Sequence, residues 1–297
     1  MTELPTPHFN KLTALVNNDG IQRETKSEIN SAIEHYHDWI KNINLIESKD
    51  KNKFKKLITL FNEYKFYIDF NLIFSSKDDF LYRQKGQLKI DNTIIEEFLP
   101  LLVDKMFPNL DEDILLGPMS CLSQIFIDLE TMKSNEIDSV KVKHKDQDFV
   151  IGKKVELTTT TGASSNSVVA FFAAECKTNL DKTMFQEASA TASDIKKLAP
   201  GCKYILLCEW LDMKPINSAG TSIDEVIILR KAKRISSNTR SEYNSYAGRK
   251  KSLVKHKNFL LDNPFDIEMF ERIIKHIDTL NVESPLLDED VLNRGFF

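Results

Sequence analysis

The run from Val168 to Ala174 is uninterrupted apolar sequence, and Glu175-Cys176-Lys177 follows it at once. Side chains alternate faces along a strand, so Glu175 and Lys177 point the same way, about 7 Å apart, while Cys176 points into the core. A carboxylate there can ligate a hard divalent cation, and the Cys176 backbone carbonyl can add a second oxygen. The neighbouring ammonium can hold or deprotonate a water. Such a site lacks a second carboxylate. Asp148, immediately before the apolar Phe149-Val150-Ile151, supplies it from the preceding strand, so that the two acids share one Mg²⁺. Asp146 is the alternative, and Glu156 a poorer one at the far end of its strand.

The surrounding elements must deliver these groups. The first hundred residues read as helical: Ile29, Ile33, Tyr36, Ile40 and Ile43 fall at helical spacing, as do Phe54, Leu57, Ile58, Phe61, Tyr64, Ile68 and Leu72. An irregular stretch at 75–92 precedes a third helix opened by Thr93, which Pro100 bends without ending. Residues 117–132 read as one more helix with Pro118 in its first turn. Strands follow at 148–157, 167–177, 203–211 and 225–231, the first two joined by the Ser/Thr-rich hairpin connection at 158–167. Between the second and third strands, Met184, Phe185, Ala188, Ala192, Ile195 and Leu198 form a helical stripe, with Asp181 as cap and Pro200-Gly201 as stop. A last helix occupies 266–280, and the tail beyond it reads as irregular. The chain divides into a helical region, 1–112, and an α/β domain, 113–297.

Composition narrows the class. The chain has 297 residues, 41% of them hydrophobic, enough for a sizeable core. No apolar run approaches the roughly 18 residues that cross a bilayer, and the start lacks a secretory pattern, so a cytoplasmic protein without membrane contact is expected. Cys121, Cys176, Cys202 and Cys208 show no CxxC spacing and read as reduced core thiols. The net charge of −4 conceals residues 230–257, which hold ten Lys/Arg against one acid, Glu242, leaving −13 elsewhere. A cationic block on an acidic chain suits a polyanion, and double-stranded DNA contacts are expected from Arg230, Lys231, Lys233, Arg234, Arg240, Arg249, Lys250 and Lys251. Arg83 and Lys85 are further contributors from the helical region.

Asp148, 26 intervening residues, Glu175-Cys176-Lys177 at the end of an apolar strand and an amphipathic helix behind it resemble the PD-(D/E)xK nuclease superfamily. The stretch 173–198 is similar to type II restriction endonucleases in particular, and the group of two-subunit enzymes cutting CCTNAGC-like asymmetric sites has subunits of about this size. The resemblance covers roughly residues 115–280. It implies a restriction-endonuclease-like core, a central mixed sheet flanked by helices, carrying the helical N-terminal region as a clamp. It also implies Mg²⁺-dependent, site-specific hydrolysis of DNA, with Asp148, Glu175 and the Cys176 carbonyl on the metal and Lys177 positioning the attacking water. Glu187, or Gln186 beside it, falls on the following helix, where some members keep another active-site residue. Gln147 stands where the motif has proline. A homodimer, or a heterodimer with a second nuclease subunit, is the expected assembly.

Other chemistries lack their residues. No GxxxxGK[ST] loop or strand-following GxGxxG occurs, and residues 162–167 form no nucleophile elbow. The rival classes are a repair or recombination nuclease without base specificity and a non-cleaving DNA-binding protein of the same fold; the latter need not keep Asp148, Glu175 and Lys177 together.

Overall fold

The computed structural model describes residues 4–128, 140–158, 164–281 and 292. The tip of the hairpin connection at 159–163 and the tail from 282, apart from 292, lie outside the described residues. Five helices come first: α1 (Pro7–Val16), α2 (Arg23–Asn44), α3 (Lys53–Phe66), α4 (Asp79–Leu88) and α5 (Thr93–Met106). A π-helical turn, Tyr67–Phe74, continues α3. Their buried stripes are the expected ones, with Ile29, Tyr36, Ile43, Leu57, Phe61 and Tyr64 all inside. The 75–92 stretch is more ordered than its composition suggests. The Asp78 carboxylate accepts from the Phe80 and Leu81 amides and starts α4, although only Leu81 of that helix is fully buried.

Strands β1 (Ile114–Ile127), β2 (Val140–Thr158), β3 (Ser164–Leu180), β4 (Lys203–Leu211) and β5 (Glu225–Ile228) form one mixed sheet in sequence order. The first three pair antiparallel and the last two join parallel. Helix α6 (Lys182–Leu198), N-capped by Asp181, makes the β3 to β4 crossover. The helix expected at 117–132 is a correction: residues 114–127 are strand β1. Two bulges explain the misreading. Gly117 to Met119 spans two steps where β2 takes three, Val150 to Gln147, and Leu122 to Gln124 spans two where β2 takes one. Each bulge breaks the two-residue period, leaving Cys121, Leu122 and Ser123 consecutively buried.

Two hydrophobic clusters flank the sheet. Val150, Ala173, Tyr204 and Leu206 pack with Phe185, Ala188, Ala192 and Ile195 of α6. The opposite face, with Phe149, Phe172, Ala174, Cys176, Ile205 and Leu207, is continuous with the cores of α1 to α5 and of the last helix. The N-terminal helices therefore serve as the second layer of the sheet. Among the described residues, four α-helices follow β5, α7 (Ser237–Glu242), α8 (Tyr246–Lys251), α9 (Leu253–Asp262) and α10 (Ile267–Asp278). Among the described residues, no helix is long and apolar enough to cross a membrane.

Candidate active site

The site forms where β2 leaves β3. Their ladder runs from Thr158–Ser164 to Phe149–Ala174 and stops there. Continued, it would pair Gln147 with Cys176. Instead, β2 turns toward β1 through the bulge at Asp148-Phe149, opposite Pro118, which has no amide to donate to a ladder. The N–H and C=O of Cys176 face the gap. The Asp148 carboxylate takes the N–H, Oδ2 accepting at 2.8 Å, and the Asn92 amide, just before α5, reaches the C=O, Nδ2 donating at 3.3 Å. Two side chains thus stand where main chain would have been.

Asp148 and Glu175 would be the next opposed pair of the ladder, so both approach one end of the sheet. Lys177 Nζ lies 2.7 Å from Glu175 Oε1, and the Tyr204 hydroxyl donates to Glu175 Oε2 at 3.1 Å. Burial raises the Asp148 pKa, a shift that the Cys176 amide and the Lys177 charge oppose. Burial also works to lower the pKa of Lys177, yet the ion pair with Glu175 and the charge of Asp148 outweigh it, and the net shift is upward. Lys177 is therefore an ammonium at neutral pH. Asp148 rather than Asp146 touches Cys176; Asp146 is exposed, two residues away on the β1 side of the bulge.

Sequence reasoning missed Asn92, the residue just before α5, and Glu96 within it. Asn92 Nδ2 also donates to Glu96 Oε1 at 2.7 Å, so one amide joins Glu96 to the Cys176 carbonyl. Burial, and then the charge of Asp148, push the Glu96 pKa up to about 7. The available signal was the pair Glu96-Glu97 inside the apolar "TIIEEFLPLLV". Glu97 has a structural use, accepting from Tyr36 and from the His8 and Phe9 amides.

A divalent cation fits this donor set. Asp148, Glu175, Glu96 and the Cys176 carbonyl are all hard oxygen donors, and the buried Asn92 Oδ1 has no hydrogen-bond partner. Among the described residues, no three His, Cys, Asp or Glu side chains gather into a closed cage.

Asp148, Cys176 and Lys177 form part of the wall of a cleft of about 600 Å³. Arg83, Lys85 and Lys89 line it from the helical region, Arg234 and Arg240 from the segment after β5. A strand-end acid and ammonium beside a basic cleft can bind and hydrolyse a phosphodiester.

Residues 87–297 match the model of the Bpu10I restriction endonuclease family. The chain belongs to the Bpu10I restriction endonuclease family. It is thus a member of a family of DNA-cutting hydrolases, and the match begins upstream of α5, so Asn92 and Glu96 lie within it. A solved structure described as the native BbvCI A2B2 tetramer at low resolution is similar over 96% of this chain and 100% of that one, with a TM-score of 0.62 and 19% identity. The likeness shows the fold. No curated protein matches the sequence.

Within this Bpu10I-family chain, several expected site residues lie elsewhere. Glu187 is exposed on α6 between the buried Phe185 and Ala188, and among the described residues it contacts none of Asp148, Glu175 and Lys177. Arg230 and Arg249 are corrections, because their guanidinium groups are buried and spent inside the protein. Arg230 pairs with Glu209 at 2.8 Å and Asp69 at 3.1 Å and lies over Phe265. Arg249 donates to the carbonyls of Phe74, Tyr243 and Ser76. Lys231 pairs with Asp266 and Glu268, while Lys233, Lys250 and Lys251 are exposed. Arg234 and Arg240 share Asp212 at the edge of the cleft.

Proposed function

We propose that this chain hydrolyses double-stranded DNA at a specific sequence with Mg²⁺, through Asp148, Glu175 and Lys177. The supporting observation is that Asp148, bonded to the Cys176 main chain, and Lys177, paired with Glu175, lie on the wall of a cleft lined by five further Lys and Arg side chains. Asp148, Glu175 and the Cys176 carbonyl would hold the cation. Mg²⁺, when bound, supplies positive charge at the scissile phosphate and acidifies its water. Lys177, protonated at neutral pH, orients the attacking water and offsets charge on the phosphate, and is not the base. Tyr204 fixes the Glu175 carboxylate by its hydrogen bond. Arg83, Lys85, Lys89, Arg234 and Arg240 bind phosphates, and those nearest the grooves read bases.

A relative solved as an A2B2 tetramer supports assembly with a second, unlike subunit. A site made by one chain cuts one strand, so an asymmetric sequence needs two kinds of site. The deciding experiment incubates the purified chain with plasmid DNA and Mg²⁺ beside Glu175→Ala. Discrete, metal-dependent products lost in the variant are expected, and nicking of one strand by the chain alone identifies the unlike partner. A smear points to a nuclease without base specificity, and equal activity in the variant refutes the assigned site.

A further inference from the structure

Asn92 joins two oxygens of the candidate site. Its Nδ2 donates at 2.7 Å to Glu96 Oε1 and at 3.3 Å to the Cys176 carbonyl. Both acceptors are oxygens that a hard cation would also seek, and an amide N–H₂ that joins two such acceptors holds them as a positive ion would. The other end of the same amide is unsatisfied, since Asn92 Oδ1 is buried without a hydrogen-bond partner. A buried acceptor left in that condition costs about 1–3 kcal/mol, so Oδ1 calls for a partner such as a water or a cation.

Half a turn of the amide about its last side-chain torsion exchanges the two ends without moving the main chain. In that orientation Oδ1 faces Glu96 and the Cys176 carbonyl. Three oxygens then crowd together, which is unfavourable alone and favourable around a divalent cation. The N–H₂ group then takes the buried place that Oδ1 left.

We propose that Asn92 is a two-position residue of the metal site, joining Glu96 and the Cys176 carbonyl through its N–H₂ group in one position and offering Oδ1 to a divalent cation in the other. This rests on the metal-dependent reading above and extends it. Because α5 is packed into the core shared by the helical region and the sheet, the turn links cation occupancy to the wall of the DNA cleft.

The test measures Mn²⁺ binding to the full chain without DNA, by the electron paramagnetic resonance signal of free Mn²⁺. Wild type is compared with Asn92→Asp and Asn92→Ala, with folding followed by circular dichroism. Asn92→Asp keeps the oxygen, adds charge and cannot donate, so it should bind Mn²⁺ at least about fivefold tighter and melt lower without metal than wild type. Asn92→Ala should bind about 10-fold weaker, the scale for losing one group of a metal site. A residue with only a structural role would give no such opposite signs. Asn92→Asp binding no tighter than wild type, or Asn92→Ala binding as tightly, overturns the proposal while the metal reading stands. If Asn92→Ala does not fold, the comparison of Asn92→Asp with wild type decides. If wild type takes up no Mn²⁺ and cuts DNA equally in a chelator, the metal reading itself fails.

Discussion

Arg249 sits in the most cationic part of the sequence, yet its surroundings predict that replacing it unfolds the protein before it weakens DNA binding. The guanidinium is fully buried. Nε donates to Phe74 O at 3.0 Å, Nη1 to Tyr243 O at 2.9 Å and Nη2 to Ser76 O at 2.9 Å, with Asp79 at 3.0 Å and the Tyr82 ring beneath. Arg249→Ala strips three buried carbonyls of their donor and opens a void. Each orphaned carbonyl costs about 1–3 kcal/mol, whereas the partly exposed Asp79 carboxylate returns to water. Taking about 4 kcal/mol at the lower edge of the usual sensitivity, about 2 °C per kcal/mol for a chain this long, the melting point should fall by about 8 °C. Calorimetry of the variant checks this. Binding of a DNA duplex, measured well below the melting point over a series of salt concentrations, should keep its slope. Lys250→Ala, one residue away and exposed, should leave the melting point within about 1 °C. If Arg249→Ala melts like wild type and its salt slope falls by about one phosphate contact, the assignment of Arg249 to the interior is wrong.

Tyr204→Phe removes only the hydroxyl that holds Glu175, and cleavage should fall about 10- to 100-fold with little change in the melting point; unchanged activity would show that Glu175 needs no such support. Arg234→Ala and Arg240→Ala should each flatten the plot of log affinity against log salt by about 0.9, and two unchanged slopes would move the DNA off this edge of the cleft. Burial lowers the pKa of His8 and of His256 from 6.5 to about 3, and nearby cations add to it. A depressed histidine stabilises the fold above its unfolded pKa, and that stability is lost as the pH falls toward the folded value. Acidification from pH 6.5 to 5 should therefore cost about 3 kcal/mol for the two together, a slope that His8→Gln with His256→Phe should flatten in denaturant titrations. Gly117 has φ +127°, and a Cβ there would meet Pro5 Cγ at 2.3 Å, so Gly117→Ala should cost about 1–3 kcal/mol and misdirect the bulge that aims Asp148, lowering both the melting point and the cleavage rate.

What the sequence made legible was local. The end of β3 announced itself because seven apolar residues force a buried strand, and charge at its exit is costly unless it is used. Helix α6 was legible through Asp181 and its stripe, both of which act within a few residues. Strand β1 was not, since two bulges erase the alternation by which a strand is read. The role of α5 was hidden for another reason: Asn92 meets Cys176 across 84 positions, and nothing in the neighbourhood of Asn92 refers to β3. Counting cations located the basic block after β5 and mislabelled Arg230 and Arg249, because composition cannot distinguish an arginine that faces phosphate from one that pins carbonyls.

A site built from α5 on one side and from β2 and β3 on the other works only if the two layers keep a fixed separation. Below the cleft lies a group suited to that. Lys65 on α3 and Asp69 on the π-helical turn meet Glu209 on β4 and Arg230 just after β5, the Lys65 to Glu209 pair at 3.2 Å and the Arg230 to Glu209 pair at 2.8 Å. Two cations and two acids leave the group neutral, which makes its burial tolerable. Burial pushes the Asp69 pKa up to about 6, whereas the two cations outweigh the same burial at Glu209 and pull its pKa down. Apolar packing of the same volume would hold the layers together as strongly but would permit them to slide, while a forked guanidinium bound to one acid from each layer permits one register. The acidic face of this group lines the cleft with Asp69 and Glu209, beneath the basic rim.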